Sequence, residues 1–316
     1  MLRVTGPDHK LPAHLIYLIT QTLNGLFSAA LLFLIAGGLT LVFGVMRIVN
    51  IAHGTFYMLG VYIAYTVVAR THSLLLGTIA AVLLVASVGL GVERLFLRRS
   101  ASRPLPQMMM TMGFALVFRD AAFMIWGGDP FTLPYPALLA GSVETYDIVF
   151  PAYRLFVMLV AAAVGVVLWA LNEHTLIGAK LRATVDDPEM AAVTGINVAL
   201  LSGGVFAAGA GLAAFGGVMG GPILGGYAGM DLDLLPLAFV VVIIGGMGSL
   251  KGALVGSIAV GLIDNFGKAL VPELSYFTLF APMVIVLAIK PTGLYAERRS
   301  GGSGRSGGSG GSGGSV

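Results

Sequence analysis

The sequence predicts an all-α protein: a polytopic bundle of eight to ten transmembrane helices with one long, charged loop on the cytoplasmic side. Three observations carry that expectation. Of 316 residues, 57% are apolar and 10% charged, and the mean hydropathy is +0.93, whereas soluble domains carry roughly a quarter charged residues. The apolar residues form continuous runs near the length of about 20 that crosses a bilayer. The basic residues collect in a few of the loops between those runs, as the positive-inside rule requires of cytoplasmic loops. Such a chain has too few polar side chains to cover a water-facing surface, which excludes most soluble enzyme folds. A β-barrel would need segments of about ten residues alternating apolar with polar, and these runs are apolar on all faces.

In order, the runs fall at about 13–46, 54–69, 74–97, 107–126, 153–171, 199–221, 233–247, 252–271 and 276–290. The first suits one strongly tilted helix or two short ones broken near Gly25 or the pair Gly37 and Gly38. Arg94, Arg98, Arg99 and Arg103 crowd one loop, Lys180 and Arg182 another, and Lys290, Arg298 and Arg299 follow the last run, so these three lie in the cytoplasm. Residues 127–151 contain Asp129, Glu144 and Asp147 without Lys or Arg and are expected outside. Arg3, Lys10 and Arg70 fit this scheme less cleanly.

The membrane domain is thus 13–297, preceded by a polar head at 1–12 and followed by a Gly/Ser tail at 298–316 with the composition of a flexible cloning linker. Ser28 and Ala30 loosely imitate a signal-cleavage site, but the apolar run continues to Val45, so no cleavage is expected.

Few residues offer chemistry. There is no cysteine, hence no disulfide or thiolate metal site, and the five histidines lack metal-ligand spacing. A formal charge of +3 spread over loops points to topology rather than to a nucleic-acid partner. Gly209, Gly211 and Ala214 imitate a dinucleotide fingerprint but lie inside an apolar run with no preceding strand. GGMGSLKG at 245–252 lacks the Gly-Lys-Ser/Thr ending of a phosphate loop and is expected to make a tight interhelical turn, or else a helix break facing a polar cavity. Small residues recur every fourth position at Gly209, Ala213, Gly217 and Gly221, and again at Gly248, Gly252 and Gly256, a stripe that favours close helix packing over pore lining.

Polar groups at membrane depth are costly and need a reason to be there. Asp264 and Lys268 are four apart, in the order that favours an interfacial ion pair. Arg119 and Asp120 are adjacent, point about 100° apart on a helix, and face neighbouring helices or the outer rim. No proton-relay chain is visible, and no charged pair that would clamp an amino-acid zwitterion.

Two segments stand out. MRIVNIAHGTFY at 46–57 interrupts the apolar pattern with Arg47, Asn50, His53 and Gly54. A helix break here would expose backbone groups to a solute; equally, Asn50 can be a plain helix cap and His53 a satisfied interfacial side chain. The loop 172–198 is long, charged and patterned. Asp186, Asp187, Pro188 and Glu189 make a helix start with acidic cap, first-position proline and first-turn acid, Met190 to Thr194 continue it and Gly195 ends it. So short a surface helix docks either on a cytosolic partner or against its own bundle.

Three stretches in order, GLTLVFGVMRIVNIAHGTFYMLGVYIAY, GAKLRATVDDPEMAAVTGIN and VVVIIGGMGSLKGALVGS, resemble the permease subunits of branched-chain amino-acid ABC importers, in their LivH-like branch. The resemblance covers about 13–297. It implies a bacterial inner-membrane permease in the lipid bilayer, paired with a second, LivM-like permease, two cytosolic ATP-binding subunits that hold ATP and Mg²⁺, and a periplasmic solute-binding protein. No cofactor and no ATPase site are expected in this chain itself.

By the same resemblance, Asp187, Pro188, Glu189, Met190, Ala191, Ala192, Gly195 and Ile196 belong to the coupling helix that sits in an ATPase groove. Asn50, Ala52, His53, Gly54 and Tyr57 lie in the family's characteristic stretch, near the translocation path. The binding protein would dock on 127–151 and on the loop Gly221 to Asp233. Branched-chain amino acids are the first expected solute, with urea, short amides and aromatic acids as alternatives. An ion-coupled secondary transporter is the alternative of a different class.

Overall fold

The structure, a computed structural model, describes residues 2–3, 12–100, 103–145, 148–290 and 293–295. The Gly/Ser tail and Lys10 lie outside the described residues. Eleven α-helices occur among those described: α1 Ala13–Met46, α2 His53–Thr71, α3 Leu74–Leu95, α4 Pro104–Trp126, α5 Ala152–His174, α6 Leu176–Asp186, α7 Pro188–Val193, α8 Val198–Leu224, α9 Met230–Gly245, α10 Leu250–Leu270 and α11 Ser275–Ile289. Short strands β1 Leu2–Arg3, β2 Ser142–Thr145 and β3 Ile148–Pro151 form a small sheet in the order β1-β2-β3.

Six helices, α1, α3, α4, α5, α8 and α10, are long and apolar enough to cross a membrane. That is fewer than the eight to ten expected, because three apolar runs are not independent full crossings. At 1.5 Å per residue α9 and α11 reach only about 24 and 22 Å, short of the roughly 30 Å hydrocarbon layer, and α2 and α9 both begin inside the bundle. The long first run is one unbroken helix of 34 residues. Its middle glycines permit close approach rather than a break.

The basic ends gather on one side. Arg98, from the turn after α3, donates to the Ala199 carbonyl at the start of α8 and pairs with Glu93 at 3.2 Å. Glu173 at the end of α5 faces Lys251 at the start of α10, 3.6 Å away. Residues 294 and 295 bond back to the end of α9. At the opposite end lie β2, β3 and an aromatic cluster of Tyr62, Tyr65, Trp126 and Phe131, the belt expected at a membrane interface. Leu2–Arg3 pairs with β2, so this part of the head sits on the outer side, which accounts for the poor fit of Arg3 to the basic-side pattern.

Helices α1, α2 and α3 are matched by α8, α9 and α10. In each trio a long helix is followed by a break, a helix that starts within the membrane, and another crossing helix. Helix α1 packs on α10 as α8 packs on α3, and α1 lies against α8. Helix α2 runs outward and α9 runs toward the basic side, the relation of inverted-topology repeats.

Glycine permits this density. A Cβ on Gly60 would lie 2.5 Å from the Ala214 backbone, and Gly245 and Gly252 meet backbone to backbone. The small-residue stripes therefore face other helices: Gly209 lies against Gly38 and Val42, Gly217 against Tyr57, and Gly256 against Val241. GGMGSLKG forms the tight turn, with Gly246 and Gly248 at positive φ (105° and 86°) and Ser249 capping α10 through the Gly252 N–H. Asp264 and Lys268 form their i,i+4 pair at 2.7 Å.

Candidate functional site

The break after α1 is a re-entrant segment. Arg47 ends α1 in the left-handed region (φ 55°), and residues 47–52 turn back into the bundle. There the His53 Nε2 meets the Ile35 carbonyl at 2.8 Å. Ile35 stands eleven residues before Met46, so α2 starts about 16 Å inside the cytoplasmic end of α1. Non-helical backbone at that depth must be satisfied by protein. Thr111 of α4 does part of this, accepting from the Ile51 N–H at 3.2 Å. Gly38 leaves room for the His53 ring, since a Cβ there would lie 3.0 Å from Cε1.

The second break, residues 225–229, brings α9 to the same depth. The bridge between Phe131 and Gly226 fixes its outer end, and a Cβ on Gly54 would lie 2.7 Å from the Asp231 carbonyl oxygen. Two helix N-termini thus meet inside the membrane. The outer loop anticipated at Gly221 to Asp233 is correspondingly shorter: Gly221 is still in α8, and Met230 to Asp233 are the first turn of α9.

Asn50, Ala52, His53, Gly54 and Tyr57 come together at this junction, and all are buried within the chain. Asn50 does not cap α2; Ala52 holds the N-cap position without a side-chain bond, and the Asn50 Oδ1 is buried with no partner among the described residues. His53 is interior rather than interfacial. The neighbours Val49 and Ile51 instead line a cleft of about 520 Å³. Its other walls are Leu39 and Phe43 of α1, the cytoplasmic part of α9, and Phe280 and Met283 of α11; every lining residue is apolar.

A charged pair stands just outward of the junction. Arg119 of α4 donates from Nη2 to the Asp231 Oδ2 at 2.7 Å and from Nε to Oδ1 at 3.1 Å, while the Thr55 hydroxyl donates to the same carboxylate at 3.1 Å. No such pair was expected from sequence, because its members are 112 residues apart. Arg119 is marked in the sequence as a charge inside an apolar run, but Asp231 reads as loop; the only signal for their pairing is that each needs an opposite charge at depth. Asp233, one turn into α9, is exposed and accepts from the Tyr227 hydroxyl. No cluster of three potential metal ligands occurs among the described residues.

On the basic side, loop 172–198 is a two-helix hairpin, α6 followed by α7. Asp187 caps α7 through its Oδ1, 3.0 Å from the amides of Glu189 and Met190; Pro188 opens the helix, and Gly195 follows at φ 87°. The capping pattern is as expected, with α6 preceding it. Only Ala191 of α7 is buried, while Met190 and Val193 are 59% and 82% exposed. The hairpin reaches the re-entrant segment where the Arg47 Nη2 donates to the Val185 carbonyl at 2.7 Å.

Residues 21–287 match the family described as branched-chain amino acid transport system / permease component. The chain is 28% identical over 301 residues to the high-affinity branched-chain amino acid transport system permease protein LivH of Salmonella typhimurium, covering 88% of this chain and 96% of that one. LivH of Escherichia coli K12 is 27% identical with the same coverage. BraD of Pseudomonas aeruginosa, named as a permease protein of the same kind of system, is 26% identical over 87% of this chain and 95% of its own.

Proposed function

Because this chain belongs to the branched-chain amino acid transport system permease family, we propose that it is a membrane subunit of an ATP-driven importer of branched-chain amino acids. Its partners are a second permease of LivM-like type, two cytosolic ATPase subunits that bind ATP and Mg²⁺, and a periplasmic solute-binding protein, all at the bacterial inner membrane. The observation that carries this reading is the α6–α7 hairpin. A short helix with a satisfied cap and uncovered Met190 and Val193 projects on the side where the basic residues gather, which suits docking into an apolar groove of a cytosolic partner.

In this mechanism ATP closes the ATPase dimer and moves the hairpin. Asp187, Pro188, Glu189, Met190, Ala191, Ala192, Gly195 and Ile196 are the gripped element. Motion reaches the membrane through the Arg47 bond to Val185 and then the re-entrant segment bearing Asn50, Ala52, His53, Gly54 and Tyr57. Energy enters only as differential contact in the two states. With these five buried in the present arrangement, opening a path past them requires α2 and α9 to separate. The binding protein supplies most of the affinity, and it docks on the outer side at 127–151.

The test is uptake in proteoliposomes with and without the ATPase subunits. Uptake is expected only with hydrolysable ATP, and Glu189→Lys combined with Gly195→Val is expected to abolish stimulated ATPase activity with expression intact. Uptake by the lone chain on a proton or sodium gradient would reject the importer.

A further inference from the structure

We infer that exposed Asp233 at the start of α9 and the apolar cleft beside it form a solute site that takes an ammonium group at Asp233 and a branched aliphatic chain in the cleft. It rests on the importer reading above and narrows the solute.

The geometry comes from helical spacing. Asp233, Pro236, Val240 and Ile243 follow one another at intervals of three and four, which places them along one face of α9. The last three line the cleft together with Met247 of the following turn, so a carboxylate stands at the head of an apolar trough. The trough volume of about 520 Å³ falls in the usual range for small-molecule pockets, roughly 300–1,000 Å³. Met283 and Phe239, on α11 and α9, enclose it further.

Asp233 is the unexplained group. It belongs to the first turn of a helix that starts within the membrane, and it is exposed. Its hydrogen-bond partner is the neutral Tyr227 hydroxyl, and no cation among the described residues forms an ion pair with it. Arg119 is engaged with Asp231 instead. A carboxylate uncovered at this depth calls for a positive group, and an ammonium on an aliphatic body satisfies both the carboxylate and the trough below it. An acid without an amine would be repelled, and urea would leave the trough empty. The site therefore separates the solutes that sequence leaves open.

The test uses the full chain with its partner permease in nanodiscs, and saturation-transfer NMR, which reads weak binding directly. The probes are leucine, 3-methylbutylamine, 4-methylpentanoate and urea. Methyl signals are expected from leucine and the amine, with at least about fivefold less from 4-methylpentanoate, and excess urea is expected to leave the leucine signal undiminished. Asp233→Asn should reduce the leucine signal at least about fivefold, Asp233→Glu should restore it, and Phe239→Trp should weaken it by filling the trough. A wild-type leucine signal in Asp233→Asn, or equal signals from the amine and the acid, would overturn the site. ATP-driven leucine uptake in proteoliposomes that also hold the two ATPase subunits would then leave the importer reading standing. Leucine binding that depends on Asp233, with no ATP-driven uptake in proteoliposomes that hold both permeases, the two ATPase subunits and the binding protein, would sink the importer and keep the site.

Discussion

The Arg119 guanidinium lies 2.7 Å from the Asp231 carboxylate and joins α4 to the first turn of α9 inside the bundle. Thr55 completes the carboxylate shell from α2, so one ionic node holds three helices at the point where the two re-entrant breaks meet. Removing one partner of a buried pair leaves a charge stranded, at a cost of about 3–5 kcal/mol. Asp231→Leu alone should therefore destabilise the detergent-solubilised chain by that order, read as a fall in thermal midpoint. Arg119→Met with Asp231→Leu should recover much of the loss, because apolar replacement of both partners removes the stranded charge. A double variant as unstable as the single one would mean that the pair is not the cause.

Gly60 and Gly91 make a matched contrast in helix packing. A Cβ at Gly60 would meet the Ala214 backbone at 2.5 Å, whereas one at Gly91 has nothing within 4 Å. Gly60→Ala is expected to cost about 1–3 kcal/mol by overpacking. Gly91→Ala should be neutral or gain up to about 1 kcal/mol from helix propensity. Thermal unfolding of the two variants side by side reads the difference, and equal behaviour would contradict the close approach of α2 and α8.

Asp187 closes α7 by accepting from two amides. Asp187→Ala should loosen the helix by about 1 kcal/mol and Asp187→Asn by much less, since asparagine caps nearly as well. In the assembled importer, binding-protein-stimulated ATPase activity is expected to fall for alanine and to persist for asparagine. Loss with both would assign the role to the Asp187 charge rather than to the cap.

Arg47 is the covalent start of the re-entrant segment and the donor to Val185 in the hairpin. Arg47→Gln keeps polarity but shortens the reach. The expected result is uptake reduced several-fold while stimulated ATP hydrolysis continues, because the motor still grips α7 but pulls less on the segment. Parallel loss of both activities would indicate that Arg47 serves assembly instead.

Much of the helical fold was legible from local pattern. Nine apolar runs correspond to nine helices, and the DDPE start of α7, the turn at GGMGSLKG and the Asp264–Lys268 pair depend on residues a few positions apart. The crossing number was not legible, because a half-helix and a full span have the same composition; what distinguishes them is the depth at which they begin. His53 reveals that depth only through its bond to Ile35. The same limit hid the charged node, as Arg119 lies in an apolar run and Asp231 in a stretch that reads as loop. It also left the role of Asn50 open until Ala52 occupied the cap position.

By itself the sequence determined that this chain lives in a bilayer, which loops face the basic side, and where a capped surface helix protrudes. These follow from transfer free energy, charge and local backbone preference, which act over a turn or two. Only the tertiary structure decided that α2 and α9 are inverted partners meeting inside the membrane, that Asp231 is bound while Asp233 is uncovered, and that the hairpin reaches the break through Arg47. Those relations depend on which helices pack together, and packing is settled by the sum of many close backbone approaches between distant segments rather than by any one of them.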